Sequence, residues 1–351
     1  MLQLLGGLLL LLVGAELLVR GAVRLAARLK VRALIIGLSI VAFGSSAPQM
    51  AVSLQATLSQ NTDIAVGSVI GGSIFNVLVT LGFSALIIPL RVSRQLVRLE
   101  IPLMIGASLL VFALAWNEEL TPLDGLALLT ALVLYLGLLL RRSQHSTHPY
   151  PTPGETTPWF GSLLLMFGGL LLLACAGHLL LNAAVEVATD LGLSERVIGL
   201  TVVAVGTSLP QLATSLIAAL RGQRDIAVGN VIGSNLFNLL GVLGFTALVA
   251  PTPLSVSPNA LAFDLPVLLG VALLCLPVFY SGYRITRAEG LLFLCLYLAY
   301  GLHVVSFTTG MPLAGKLEHL MLFYVLPALL AFLLFTSVRA WRRQHHKRES
   351  Q

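Results

Sequence analysis

Residues 37–53 read GLSIVAFGSSAPQMAVS, and residues 199–215 read GLTVVAVGTSLPQLATS. The likeness continues without a gap to residues 82 and 244 at a constant offset of 162, with 26 of the 46 aligned positions identical. Both copies pass through DIAVG, then GGSIFN in the first and GSNLFN in the second. The chain around them is apolar: 351 residues, 57% hydrophobic and 10% charged, with a mean hydropathy of +0.94. A soluble chain would carry about 25% charged residues. A polar stretch duplicated inside such a chain points to a site built twice and shared between two halves.

Apolar runs of about 20 residues recur along the chain, each long enough to cross a bilayer as a helix, and no strand-like alternation competes with them. The fold class is therefore an all-α polytopic membrane protein. Breaks at charge clusters and at Gly, Pro and Asn place eleven spans near residues 2–27, 33–59, 63–90, 99–116, 121–141, 159–188, 195–221, 225–250, 260–281, 287–306 and 317–340. Cys175, Cys275 and Cys295 sit inside apolar runs without CxxC spacing and read as packing residues. The N-terminus lacks a basic n-region and a small-residue cleavage site, so the first run reads as a retained helix.

Orientation follows from the basic residues. Alternate loops hold Arg20, Arg24, Arg28, Lys30 and Arg32; then Arg91, Arg94 and Arg98; then Arg141 and Arg142; then Arg221 and Arg224; then Arg284 and Arg287; and finally Arg339, Arg342, Arg343, Lys347 and Arg348. These are 19 of the 21 basic residues, and only Arg196 and Lys316 fall on the other side. The positive-inside rule makes the rich side cytoplasmic. The expected protein is a multi-pass inner (cell) membrane protein with its N-terminus outside and its C-terminus in the cytoplasm. Net charge of +6 then reports topology, not nucleic-acid binding. The first polar copy starts its span at the cytoplasmic face and the second at the outer face, so the copies are inverted, as in transporters with a midplane site. The expected organisation is a first five-helix repeat over 1–141, a cytoplasmic linker over 142–158, a second five-helix repeat over 159–306, an accessory span over 317–340 and a basic tail over 341–351.

Pro48 and Pro210 fall inside these spans. Each lacks an N–H and crowds the carbonyl four residues back, at Gly44 and Gly206. The expectation is a helix break that releases carbonyls in Ala42–Ser45 and Ala204–Thr207. Ser45, Gln49 and Ser53 are spaced four apart, with Ser46 beside them, and Thr207, Gln211, Ser215 and Ser208 repeat the pattern. In the spans that follow, Ser68, Gly72, Asn76 and Thr80 share one face, as do Asn230, Ser234 and Asn238. Such oxygens suit alkali and alkaline-earth cations; small polar residues also serve as close-packing glue between membrane helices.

At these residues the chain resembles the cation/calcium exchanger superfamily, the prokaryotic relatives of sodium/calcium exchangers. The matching motifs are Gly44-Ser45-Ser46-Ala47-Pro48-Gln49, Gly206-Thr207-Ser208-Leu209-Pro210-Gln211 and Gly233-Ser234-Asn235-Leu236-Phe237-Asn238. The resemblance covers residues 1–306. It implies a ten-helix core of two inverted five-helix repeats, to which the eleventh transmembrane helix is an addition. It also implies secondary active antiport of cations (Na⁺, Ca²⁺, K⁺ or H⁺) by alternating access, with helices 1 and 6 sliding across the bundle. By the same resemblance Ala42, Ser45, Ser46, Gln49 and Asn76 fall on cation-site positions in the first half. Ala204, Thr207, Ser208, Gln211, Ser234 and Asn238 do so in the second.

The family's central glutamate is Gln49 in one copy and Gln211 in the other; Gly72 replaces a serine ligand, and Asn238 stands where some members carry aspartate. A dehydrated divalent ion near the midplane without counter-charge is unfavourable by at least several kcal/mol, and strong Ca²⁺ sites include carboxylates. Monovalent ions tolerate neutral oxygens better. The expectation is an exchanger whose charge-neutral site weakens Ca²⁺ binding and favours monovalent cations. The alternative is a non-transporting membrane sensor or scaffold with a degenerate site. HExxH, GxSxG and P-loop spacings are absent, so an enzyme is not expected. Expected partners are inorganic cations and the lipid bilayer, with no nucleic acid and no organic cofactor; a monomer is compatible with the chain.

Glu16 and His178 occupy equivalent places in spans 1 and 6. As intramembrane ionisable groups they are candidates for proton coupling, although Arg20 four residues on suggests an ion pair for Glu16. Glu100 and Asp264, each two residues before a proline, read as helix-start carboxylates, as do Asp63 and Asp225.

Overall fold

The computed structural model describes residues 2–29, 31–143, 159–190, 202–280, 282–308, 316, 319–325 and 327. Ten long helices carry the fold: α1 Leu2–Leu29, α2 Ala33–Leu58, α3 Thr62–Ile87, α4 Leu96–Asn117, α5 Pro122–Ser143, α6 Trp159–Asp190, α7 Ala204–Leu220, α8 Arg224–Val249, α9 Ala260–Tyr280 and α10 Arg287–Thr308. Eight stretches among the described residues are long and apolar enough to cross a membrane. The 28 residues of α1 add a further helix about 42 Å long at 1.5 Å per residue. The linker residues 144–158, the first part of the expected seventh span and most of the eleventh span with its tail lie outside the described residues.

α1 and α6 pack side by side along their length because glycine lets their backbones touch. Gly7, Gly14 and Gly21 recur every seventh residue. A Cβ on Gly14 would lie 3.0 Å from the Gly169 carbonyl oxygen, and one on Gly21 would lie 2.9 Å from that of Ser162. A Cβ on Gly169 would stand 2.6 Å from the Leu18 nitrogen. As the contact moves forward along α1 it moves backward along α6, so the two helices are antiparallel, as equivalent members of inverted repeats must be. α6 also reaches both prolines' neighbourhoods: Leu170 fills the space beside Gly44 and Leu181 the space beside Gly206.

The halves interlock through crossed glycine contacts. The Gly82 region of α3 meets Gly290 of α10, and Gly244 of α8 meets Gly125 of α5. A Cβ on Gly290 would lie 2.6 Å from the Gly82 oxygen, and one on Gly125 would lie 2.6 Å from the Gly244 oxygen. Short strands close each end of the bundle. β1 (Leu90–Arg91) pairs antiparallel with β4 (Arg284–Ile285), and β2 (Glu119–Leu120) with β3 (Leu254–Ser255). The first pair joins two arginine-bearing loops at one end, and the second joins two loops without basic residues at the other. Two loops that the charge pattern places on one face are thus hydrogen-bonded to each other.

The α2–α3 and α7–α8 turns are equivalent. In each, crossed backbone bonds close the helix end: Gln60 to Thr57 and Asn61 to Ala56 in the first, Gly222 to Ala219 and Gln223 to Ala218 in the second. The residue in the left-handed conformation is Gln60 (φ 63) in one copy and Gly222 (φ 75) in the other.

The expected breaks at Pro48 and Pro210 take a different form. Helical residues run through both prolines, from Ala42 to Leu58 and from Ala204 to Leu220. A proline removes one donor, and the rest of the turn keeps its bonds. The irregularity instead lies in widened π-helical turns at Gly37–Val41, Asn76–Leu81, Leu96–Glu100, Phe237–Val242 and Ala260–Asp264. Turns of this kind are frequent at functional sites. Two of them begin at or beside the site asparagines, Asn76 and Asn238. Glu100 and Asp264 end two others, so both lie inside their helices, and Glu100 makes no side-chain capping bond. Cys275 is buried, Cys175 and Cys295 are exposed, and none is paired.

Candidate cation site

Four helices, α2, α3, α7 and α8, converge at the centre, and α3 and α8 are the most enclosed of the long helices. Glycine sets their approach. A Cβ on Gly233 would lie 2.7 Å from the Leu38 oxygen, and one on Gly37 would lie 3.1 Å from the Ile226 backbone. This close α2–α8 crossing brings Ser45 beside Asn230 and Ser234. Its hydroxyl lies 3.0 Å from Asn230 Oδ1, 3.1 Å from Ser234 Oγ and 3.2 Å from the Ala42 carbonyl oxygen.

Gln49 is fully buried and held on both sides. Its amide nitrogen donates to Ser68 Oγ at 3.0 Å and Ser53 Oγ at 3.4 Å. Its oxygen accepts from Thr207 Oγ1 at 2.6 Å, a bond from the opposite half. Thr207 Oγ1 also lies 2.9 Å from the Val203 carbonyl and 3.2 Å from that of Ala204, so its one proton has three acceptors to choose from. Ser208 Oγ donates to the same Ala204 oxygen at 3.0 Å. Gly72 faces this group: a Cβ there would lie 3.1 Å from Ser208 Oγ and 3.2 Å from Gln49 Oε1. The missing serine side chain leaves space that the amide and hydroxyl partly fill.

Gln211, the counterpart of Gln49, is just as buried but has no hydrogen-bond partner for either side-chain atom among the described residues. The cause is one substitution between the copies. Where the first half has Ser68, the second has Asn230, whose amide donates to Ser215 Oγ at 2.9 Å and to the Gln211 backbone oxygen at 3.4 Å. Asn230 Oδ1 is taken by Ser45, and Gln211 is left without the partners that hold Gln49. Both side-chain atoms of Asn238, the Asn76 oxygen and the Ser46 hydroxyl are likewise buried without a partner. Native proteins leave few buried polar atoms unsatisfied, and an ion or a water molecule is one way such atoms are satisfied. Gln211 Oε1, Asn238 Oδ1, Asn76 Oδ1 and Ser46 Oγ are all neutral oxygens. Among the described residues no three His, Cys, Asp or Glu side chains gather to hold a metal. The donor set at these positions is thus made of neutral amide and hydroxyl oxygens.

Of the expected positions, Ala42, Ser45, Ser46, Gln49, Asn76, Ala204, Thr207, Ser208, Gln211, Ser234 and Asn238 are all buried and lie on these four helices. Glu16 and His178 do not share the network. Glu16 pairs with Arg20 and also with Arg221, whose Nε lies 2.6 Å from Glu16 Oε2, tying α1 to the end of α7. His178 is exposed on α6 and lies 3.2 Å from Asn182 Nδ2 one turn along. Two residues absent from the expected ligand set, Asn230 and Asn235, bridge the halves. The positions at which the two copies differ, Ser68 against Asn230 and Ser73 against Asn235, were the available signal. The acid at Asp264 also has an unforeseen partner, Tyr300, whose hydroxyl donates to it at 3.1 Å.

A profile described as sodium/calcium exchanger protein matches residues 1–141 and 161–306. CaxA of Alkalimonas amylolytica is 37% identical over 303 residues, covering 84% of this chain and 95% of its own. Sodium/calcium exchanger MaX1 of Methanosarcina acetivorans is 30% identical over 334 residues, with the same coverage of 84% and 95%. A solved structure of the sodium-calcium exchanger NCX_Mj soaked with 10 mM Na⁺ and zero Ca²⁺ superposes with a TM-score of 0.73 at 31% identity, covering 84% of this chain and 95% of that one. On these matches, which span both inverted halves and the network between them, the chain belongs to the sodium/calcium exchanger protein family.

Proposed function

We propose that this protein is a secondary cation antiporter that works by alternating access, not an enzyme, and that its charge-neutral site binds Ca²⁺ weakly and favours monovalent cations. The observation that carries the reading is the pair Gln49 and Gln211, buried at equivalent points of the two halves with no carboxylate among the site positions. Neutral oxygens left unpartnered at Gln211, Asn238, Asn76 and Ser46 offer ligands without the counter-charge a divalent ion needs. The eleven cation-site residues named above form the transport site in this reading, and the basic loops joined by β1 and β4 face the cytoplasm. The test is ⁴⁵Ca²⁺ uptake into proteoliposomes under an imposed Na⁺ gradient, alongside ²²Na⁺ exchange. Na⁺ exchange with little Ca²⁺ uptake is expected. Robust uptake with micromolar Ca²⁺ affinity would overturn the neutral-site reading, and absence of all cation flux would overturn transport.

A further inference from the structure

We propose that Asn235 is a positioning residue that fixes which way the Asn76 amide points, making Asn76 a preset cation ligand while its counterpart Asn238 is left free to turn. The inference rests on the transport-site reading above. The Ser73 carbonyl oxygen can only accept a hydrogen bond. Asn235 Nδ2 lies 3.0 Å from the Ser73 carbonyl oxygen and 3.7 Å from the Met104 thioether sulfur. Both are acceptors, so the NH₂ end of the Asn235 amide must face them. Its oxygen is thereby turned toward Asn76, whose Nδ2 donates to it at 3.1 Å. The Asn76 amide has then only one orientation: NH₂ toward Asn235, and carbonyl oxygen away from it. That oxygen is buried and has no hydrogen-bond partner in the protein.

The relay joins three helices from both halves, since Ser73 and Asn76 are on α3, Met104 is on α4 and Asn235 is on α8. It exists only once. The residue equivalent to Asn235 in the first copy is Ser73, whose hydroxyl is itself buried without a partner. Among the described residues nothing corresponding holds Asn238, and both of its side-chain atoms are without a partner. An amide that points the wrong way presents a donor to a cation, which repels it, so holding the orientation has a direct effect on binding.

A double-mutant cycle separates this role from simple packing. An amide has a wrong face, whereas a carboxylate has two equivalent oxygens and none. Asn235→Ser, which copies the first half, releases the Asn76 amide, and is expected to weaken Na⁺ binding about tenfold, the loss of one well-oriented polar contact. In an Asn76→Asp background the same Asn235→Ser change is expected to cost nothing, or to strengthen binding by removing the Asn235 oxygen from beside the new charge. The readout is Na⁺-dependent thermal stabilisation of the full chain in detergent, with the melting temperature in a Na⁺-free, bulky-cation buffer as the folding control. Equal weakening in both backgrounds, or unchanged Na⁺ affinity in Asn235→Ser, would overturn the positioning role while leaving the transport reading in place. Absence of any Na⁺ effect on the unmutated protein would overturn both.

Discussion

Restoring the family's carboxylates one at a time should give unequal gains in Ca²⁺ binding, because the two glutamines sit in unequal surroundings. In Gln49→Glu the new oxygen faces Ser68 and Ser53, which now accept from the amide nitrogen. Both hydroxyls can rotate to donate, although Ser68 must give up its 3.0 Å bond to the Ala65 carbonyl. Thr207 already donates to the other oxygen. Three hydroxyls therefore solvate the charge before any cation arrives, and rearranging them costs about 1 kcal/mol. In Gln211→Glu no protein group stands ready for either oxygen. An uncompensated buried charge costs about 3–5 kcal/mol, and a cation that neutralises it recovers most of this. The expected gain in Ca²⁺ affinity is thus at least about 100-fold for Gln211→Glu and about fivefold for Gln49→Glu. Without Ca²⁺ the order of stability should reverse, with Gln211→Glu the less stable variant. Ca²⁺ titration followed by thermal unfolding, at about pH 8 to keep a desolvated carboxyl ionised, measures both quantities. A gain at Gln49→Glu equal to or above that at Gln211→Glu would refute the argued asymmetry.

Other consequences concern the scaffold. Gln60→Gly should stabilise the protein by about 1 kcal/mol, since Gln60 holds a left-handed conformation that its counterpart Gly222 adopts without strain, and a thermal melt would register it. Gly169→Leu should abolish transport and lower the melting temperature markedly, because its side chain would enter the Leu18 backbone of α1, where a Cβ alone already lies at 2.6 Å.

Much of the architecture was legible because a bilayer simplifies the problem. A spanning helix must be about 20 apolar residues long, and arginine marks its cytoplasmic end. The expected span 225–250 is α8 Arg224–Val249 and the expected span 287–306 is α10 Arg287–Thr308. Inversion followed from the same charges. What could not be read was the form of the helical irregularity. Proline is a visible letter, whereas a π-helical turn such as Asn76–Leu81 arises from packing between helices distant in sequence and has no residue of its own. The site was legible as a set of residue types and illegible as a set of bonds. Gln49 and Gln211 are the same letter in matching motifs; Ser68 against Asn230 separates them, and only the fold shows that Asn230 engages Ser215 and Ser45, 185 residues away, and leaves Gln211 without partners. Glu100 and Asp264 were misread as helix starts because the helices extend a further turn upstream.

The leucines of α6 touch both repeats. Leu170 seats beside Gly44 and Leu181 beside Gly206, each glycine four residues before its proline. The leucines are eleven residues apart, close to three full helical turns, so they are teeth on one side of a single rod. Moving that rod by one turn, about 5.4 Å, would withdraw both teeth from their notches in the same stroke. A shift of α6 would therefore act at both glycines together. An exchanger must not open its site to both faces at once, and one helix seated in both repeats is a means by which their movements would be coupled.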